Sequence, residues 1–184
     1  MPKLLVLFHS RSPDVVALAE AVVEGARSVR FAEVDLRRLE ASDAGTHSTA
    51  PDGAGRTHRT LERVDDIATY DGLVLALPAA DQATATLTEA LGALGASLVN
   101  KVGSVVTAAE GEGRSAVLWS ALAPMADRGM ILVPSPFTKS EEPAPDSARR
   151  IGKRVAEVIG WVTHARSHHH HEPHHHDHHS HHHH

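Results

Sequence analysis

Short apolar runs alternate with amphipathic segments along most of the chain. The first run, Lys3–Phe8, is continuous and of strand length. A polar loop over residues 9–14 follows it, and then an amphipathic segment over residues 15–26. Strand, loop and helix in this order form the opening unit of an open α/β sheet, in which the loop faces the ligand. The pattern therefore predicts such a unit at the start of the chain.

Four more strands and four more helices are predicted from the same periodicities. Runs rich in β-formers or buried-type apolar residues cover residues 29–36, 73–77, 102–107 and 130–134. Apolar residues at helical spacing cover residues 60–70, 83–94, 116–126 and 147–165. Polar, Gly- and Pro-rich stretches over residues 40–59 and 134–145 are predicted to be loops. Five strands alternating with helices predict a doubly wound parallel sheet in the order 2-1-3-4-5 with helices on both faces, as one domain over residues 1–166.

The end of the chain has a different composition. From His168 onward, 13 of 17 residues are histidine, interrupted by Glu, Pro, Asp and Ser. Because no apolar side chain offsets the entropy of ordering, residues 167–184 are predicted to be disordered. Neutral imidazole binds Zn, Ni, Cu and Co, so the sequence predicts a metal-binding tract. A purification tag would bind metal equally well, but the interruptions favour a native tail. The predicted metal ligands are His168, His169, His170, His171, His174, His175, His176, His178, His179, His181, His182, His183 and His184.

Composition limits the classes of partner. Lys plus Arg number 18 and Asp plus Glu 23, a net charge of −5 with neutral histidine, so no basic field recruits nucleic acid. No apolar run approaches the roughly 20 residues of a membrane-spanning helix, and no signal peptide is recognisable. With no cysteine, disulfides and thiolate chemistry are excluded. We expect a cytoplasmic protein with no nucleic-acid or membrane partner.

The predicted strand order also predicts where a ligand binds. Ligands of such sheets lie outside the carboxyl ends of the strands, at the point where the strand order reverses. The loops after the first, third and fourth strands meet there. The candidate cofactor-binding residues are therefore Ser10, Arg11, Ser12, Pro13, Asp14 and Val15; Pro78, Ala79, Ala80 and Asp81; and Thr107, Ala108, Ala109, Glu110, Gly111, Glu112 and Gly113.

The first of these loops has two interpretations. Serine hydroxyls and Arg11 would favour a phosphate, whereas Pro13 removes a backbone donor and Asp14 adds a carboxylate. Alternatively, Ser12 or Asp14 simply caps the following helix, with Pro13 in its first turn. The sequence leaves both interpretations open.

Other polar and aromatic residues have structural as well as functional interpretations. Glu110 and Glu112 are expected to be solvated carboxylates that favour the next helix N-terminus, rather than ligand contacts. Trp119 and Trp161 lie in amphipathic segments and are predicted to be core residues. His9, beside the predicted crevice, is expected to be partly buried and hydrogen-bonded rather than a titrating group. We predict no catalytic side chain.

Four segments resemble the flavodoxin-like NAD(P)H:quinone oxidoreductases of the WrbA type, and they occur in the family's order. They are KLLVLFHS with the helix VALAEAVVEGA, YDGLVLALP, KVGSVVT and RGMILVP. The resemblance implies a flavodoxin-like fold, FMN as cofactor, and two-electron reduction of quinones or similar acceptors by NAD(P)H. It also implies a homo-oligomer.

The departures from that family lie in the ligand loops. Where the family carries Gly and Thr around the FMN phosphate, this chain has Pro13 and Asp14. The loop over residues 79–83 lacks the family's aromatic and cationic side chains, and Glu110 and Glu112 add two carboxylates. We therefore predict weak FMN binding. The alternative is a catalytically silent flavodoxin-fold scaffold with a metal-binding tail.

Overall fold

Five parallel strands form a single sheet in the order β2-β1-β3-β4-β5. The computed structural model describes residues 1–9, 12–30, 32–39, 57–79, 91–92, 94–135 and 144–168. The strands are β1 (Lys3–Phe8), β2 (Glu33–Arg38), β3 (Gly72–Leu77), β4 (Val102–Thr107) and β5 (Ile131–Leu132). The predicted fold class and strand order are confirmed.

Helices cover both faces of this sheet. Within the described residues the α-helices are α1 (Pro13–Arg27), α2 (Glu112–Asp127) and α3 (Ala144–His168), and Val64–Thr69 and Gly95–Leu98 are 3-10 helices. Residues 91, 92 and 94 are also helical, while the rest of the helix predicted over 83–94 and the loop over 40–56 lie outside the described residues. No described helix is both long and apolar enough to cross a membrane.

Several predicted boundaries were wrong. The second strand starts at Glu33 rather than residue 29, because the chain first makes a turn in which the Val29 N–H donates to the Ala26 carbonyl at 3.1 Å. The helix predicted over 60–70 is reduced to Val64–Thr69, since Thr60 pairs with Arg38 beside β2 in extended backbone. The helix predicted over 116–126 begins at Glu112. The closing helix extends to His168, so Ser167 and His168, which were predicted to be disordered, are helical.

Two apolar layers flank the sheet. On one face, side chains such as Val6 and Val74 pack against α1 and α3. On the other, Leu5, Leu73 and Leu75 pack against α2 and the 3-10 segments. Every residue of β3 and β4 is buried, as expected for central parallel strands covered on both sides.

The two tryptophans were wrongly predicted to be core residues. Trp119 is 58% exposed and Trp161 is 59% exposed. The buried stripe of α2 contains Leu118 and Leu122, and one residue further along a helix points about 100° away from it. On α3 the buried stripe ends at Ile159, so Trp161 faces outward, where the Arg154 guanidinium lies 4.9 Å from its ring centroid.

Helices α1 and α3 approach each other through two reciprocal glycines. A Cβ added to Gly25 would meet the Arg149 carbonyl oxygen, and one added to Gly152 would meet the Val22 carbonyl oxygen, both well inside the 3.0 Å that real Cβ contacts respect. The backbones of the two helices are therefore in direct contact at both glycines. Arg149 adds a side-chain contact, because its Nη2 donates to Glu24 Oε2 at 2.9 Å. The covering of one whole sheet face depends on this close crossing.

The crossing gives a testable prediction for Gly152→Ala. We expect it to lower the free energy of unfolding by about 1–3 kcal/mol, because the added methyl group forces two backbones apart. Gly160→Ala is the matched control: it lies in the same helix, with nothing within 4 Å of an added Cβ, and should be neutral or stabilise by up to about 1 kcal/mol. Urea unfolding measures both. Equal effects of the two substitutions would contradict the close crossing.

Candidate functional site

The loops after β1, β3 and β4 leave the sheet at the same end, where the carboxyl ends of these strands lie. Phe8 pairs with Ala76, and Leu77 pairs with Thr107, so the three strands end at nearly one level. The Ala108 N–H donates to the Leu77 carbonyl at 3.0 Å, which joins the start of the fourth-strand loop to the end of β3. The described parts of the predicted crevice are therefore brought together as strand order requires.

Thr107 ties two of these loops to each other. Its side chain is buried, and its Oγ1 accepts the Ala109 N–H at 3.1 Å and donates to the Pro78 carbonyl at 3.4 Å. The hydroxyl is thus used within the protein. Ala109 is buried as well, so its contribution to a ligand is limited to its backbone.

The start of α1 is built by Ser12 and Pro13. Ser12 occupies the N-cap position, with Pro13 at the first helical position, but no side-chain capping hydrogen bond forms. Pro13 has no N–H and the Val16 N–H donates to the Ser12 carbonyl at 3.2 Å, which leaves the backbone N–H groups of Asp14 and Val15 without an acceptor inside the helix. Val15 is buried and the Asp14 side chain is exposed, so a carboxylate lies beside this pair of donors.

The fourth-strand loop is open toward solvent. Glu110, Gly111 and Gly113 are exposed, and Gly111 has a φ of 61°, a conformation that favours glycine. An added Cβ there would meet nothing within 4 Å, so another molecule can approach this backbone closely. Of the other predicted residues, Pro78 and Ala108 are half-buried and Ala79 is exposed. Ser10, Arg11, Ala80, Asp81 and the side chain of Glu112 lie outside the described residues.

Sequence reasoning missed Arg114. From the first turn of α2 its Nη1 donates to the carbonyls of Thr107 and Ala109, each at 3.4 Å. The positive end of the helix dipole disfavours a cation in the first turn of a helix. The two hydrogen bonds to carbonyl groups offset this effect and explain why an arginine is found there. Together with Leu18 and Val106 it lines a cavity of about 20 Å³, enough for one water. An arginine directly after the glycine-rich loop, Gly111–Gly113, was the available signal.

Two histidines lie beside the end of β1. His9 follows the strand and is half-buried, as expected. The ring of His58 meets Phe8 edge-on, with centroids 5.2 Å apart, and its Nε2 lies 3.9 Å from Glu20 Oε1. His58 belongs to the segment predicted as a featureless loop, so its position next to β1 was missed.

A second cavity has a volume of about 790 Å³. It borders the β2 edge, between Arg37, the segment 58–62 and Tyr70. Two of its polar residues contact Asp35: Tyr70 Oη donates to Asp35 Oδ2 at 2.7 Å, and Arg37 lies 3.8 Å from the same oxygen. Burial and the Asp35 contact raise the pKa of the Tyr70 phenol. Tyr70 precedes β3, whereas His58, which also lines the cavity, contacts Phe8 at the end of β1, so the cavity extends along the β2 edge.

The predicted metal tract is described only at its first residue. His168 lies exposed at the last position of α3, and the other twelve predicted ligands lie outside the described residues. Among the described residues, no group of three or more His, Asp or Glu side chains is arranged to hold a metal ion.

Comparison with known proteins gives relatives that are named NAD(P)H dehydrogenase (quinone). No protein-family model matches the chain. It is 34% identical over 158 residues to an NAD(P)H dehydrogenase (quinone) of Acidithiobacillus ferrooxidans, covering 77% of this chain and 74% of that protein. Over 146 residues it is 34% identical to the protein of the same name from Cupriavidus metallidurans, covering 75% of this chain and 73% of that protein.

The similarity to solved structures supports the fold of this chain and nothing further. A flavodoxin, WrbA-like protein from Agrobacterium tumefaciens superposes with a TM-score of 0.63 at 18% identity, covering 88% of this chain and 99% of that one. A flavodoxin from Streptococcus pneumoniae superposes with a TM-score of 0.59 at 13% identity, covering 85% of this chain and 99% of that one. The crevice described above therefore belongs to a flavodoxin-like scaffold.

The role of Thr107 can be tested by Thr107→Val. This change keeps the shape of the side chain but leaves the Ala109 N–H without its acceptor, at an expected cost of about 1–3 kcal/mol of unfolding free energy. Thr107→Ser is the control, because it keeps the hydroxyl and should recover most of that loss. Urea unfolding of the two variants decides. Full stability of Thr107→Val, or a loss in Thr107→Ser as large as that in Thr107→Val, would contradict a dominant role of the hydroxyl.

Proposed function

Because the chain belongs to the NAD(P)H dehydrogenase (quinone) family, we propose that it uses FMN to pass two electrons from NAD(P)H to a quinone or similar acceptor. The observation that carries this proposal is the identity of 34% to those enzymes over 77% of this chain. The meeting of three loops at the switch point of the sheet supplies a place for the cofactor.

The described residues fit FMN in part. The open backbone at Gly111 allows a flat ring or a ribityl chain to approach, and the fourth-strand loop offers backbone donors and acceptors around it. The backbone N–H groups of Asp14 and Val15, which have no acceptor inside the helix, would receive the phosphate at the positive end of α1. Arg114 holds the carbonyls of Thr107 and Ala109 and so fixes the shape of that loop.

When bound, FMN supplies the hydride chemistry, and the protein's task is to bind, orient and exclude competing reactions. The proposal assigns no proton transfer to a side chain. Thr107 and Arg114 act as positioning residues, since each contacts loop backbone through bonds of 3.1–3.4 Å. The substrate site is proposed to be the exposed side of the crevice, next to Ala79 and Gly111.

FMN binding is proposed to be weak because negative charge borders the phosphate position. The Asp14 carboxylate is in the first turn of α1, and Glu110 is exposed in the facing loop. Both would repel a dianionic phosphate, and Pro13 withholds a donor. The catalytically silent scaffold is the outcome if these defects abolish binding. A cytoplasmic location, the absence of nucleic-acid and membrane partners and a homo-oligomeric state remain predictions.

The histidine tail has a separate proposed role. With its imidazoles neutral, it would take up several divalent ions such as Zn²⁺, Ni²⁺, Cu²⁺ or Co²⁺, because its 13 histidines are enough to supply three or four ligands to each ion. This role depends on no residue of the crevice.

The proposed activity is tested with the purified full chain, added FMN, NAD(P)H and a soluble benzoquinone. We expect quinone-dependent oxidation of one NAD(P)H per quinone, and only with FMN present. Asp14→Asn, alone or with Pro13→Gly, should lower the Kd for FMN about two- to fivefold, the effect of one partly screened charge at a helix N-terminus.

Asp127→Asn is the charge-matched control. Asp127 is the last residue of α2, at the end of the sheet opposite the crevice, so this substitution should leave the Kd for FMN unchanged. Equal changes in both variants would show a net-charge effect and contradict a phosphate at α1. Absence of FMN binding together with absence of NAD(P)H oxidation would favour the silent scaffold.

A further inference from the structure

Two histidines lie side by side on the last turns of α3. His164 and His168 are four residues apart, which places them on one face of the helix. Their ring centroids are 4.4 Å apart with the planes at 71°, and both side chains are exposed. His164 precedes the histidine tract, and its relation to His168 exists only because the helix continues through Ser167.

This end of α3 is held in helical form by side-chain bonds. Thr163 Oγ1 donates to the Ile159 carbonyl at 2.9 Å, and Ser167 Oγ donates to the Thr163 carbonyl at 3.0 Å. The Arg166 guanidinium donates to the Asn100 carbonyl, which fastens the last turn to the segment before β4. Helix ends otherwise fray, so these contacts keep the two imidazoles one turn apart before any ligand arrives.

We propose that His164 and His168 form a two-histidine chelate for a divalent transition-metal ion such as Cu²⁺, Ni²⁺ or Zn²⁺. Pairs of imidazoles at this spacing are used as metal ligands on helices, with metal–nitrogen distances near 2.0–2.1 Å for zinc. Rings already within 4.4 Å need only side-chain rotation to share one ion. Among the described residues, His164 and His168 have no third His, Asp or Glu beside them to complete a metal site.

The chelate differs from the tail in how it affects folding. Its geometry exists only while α3 is helical, so metal binds the folded chain and not the unfolded one, and stabilises it in proportion to occupancy. A tract whose ligands need no fold binds metal equally in both states and leaves the unfolding temperature unchanged. Metal binding at His164 and His168 therefore depends neither on FMN binding nor on metal uptake by the tail.

The test measures thermal unfolding of the full chain at about pH 8, where reference imidazoles are neutral, with and without Ni²⁺ or Zn²⁺. At tenfold free metal over Kd, we expect Tm to rise by about 3–5 °C. His164→Gln and His168→Gln should each abolish the rise. His169→Gln, which removes one histidine outside the pair, should preserve it. Because both substituted side chains are exposed, Tm without metal should hardly change.

Calorimetric titration of the same variants separates this site from the tail. Loss of about one bound ion in His164→Gln, with the remaining uptake intact, supports the chelate and the tail together. A Tm rise with a single bound ion supports the chelate and contradicts the tail proposal. A Tm rise that survives in both His164→Gln and His168→Gln, or no rise in the unsubstituted chain, overturns the chelate.

Discussion

Burial of the central strands on both faces is the constraint on which the rest of the molecule depends. β3 and β4 have no exposed residue, so helices must cover the sheet above and below. On one side this requires α1 and α3 to share a narrow space, which the reciprocal contacts of Gly25 and Gly152 with opposing carbonyls make possible. Because crossover connections keep all the strands parallel, the carboxyl ends of β1, β3 and β4 lie at the same end of the sheet and form the crevice.

The central sheet could be predicted from sequence because its signal is local. Residues 102–107 form an apolar run of strand length, and β4 has those same bounds. The features that could not be predicted from the sequence are determined by tertiary contacts. Thr60 is extended because it pairs with Arg38, and Trp161 is exposed because the buried stripe of α3 follows Val155 and Ile159.

The candidate site was predictable in position but less so in detail. Strand order alone indicates which loops meet, and the described parts of those loops do meet. The Thr107 hydroxyl forms its hydrogen bonds within the protein because of the register of β3 with β4, and the contacts of Arg114 depend on where α2 begins. Neither can be read from a periodicity. The pairing of His164 with His168 likewise required the observed end of α3.

The scaffold and the ligand loops of this chain differ in how closely they follow the family. The scaffold superposes on flavodoxins, whereas the crevice carries Pro13, Asp14 and Glu110 near the position proposed for a phosphate. Cofactor affinity can thus fall without loss of the fold, because these exposed loop residues contribute little to the core. A cavity of about 790 Å³ at the β2 edge lies between Tyr70, which precedes β3, and His58, which contacts the end of β1.

The central claim is that FMN binds at the carboxyl ends of β1, β3 and β4. Amide chemical shifts of the ¹⁵N-labelled full chain, followed as FMN is added, test it most directly. The account predicts that the largest changes fall at Val15, Ala109 and Gly111, with little change at Thr69 and Tyr70. Changes centred on Thr69 and Tyr70, with the crevice amides unmoved, would contradict it.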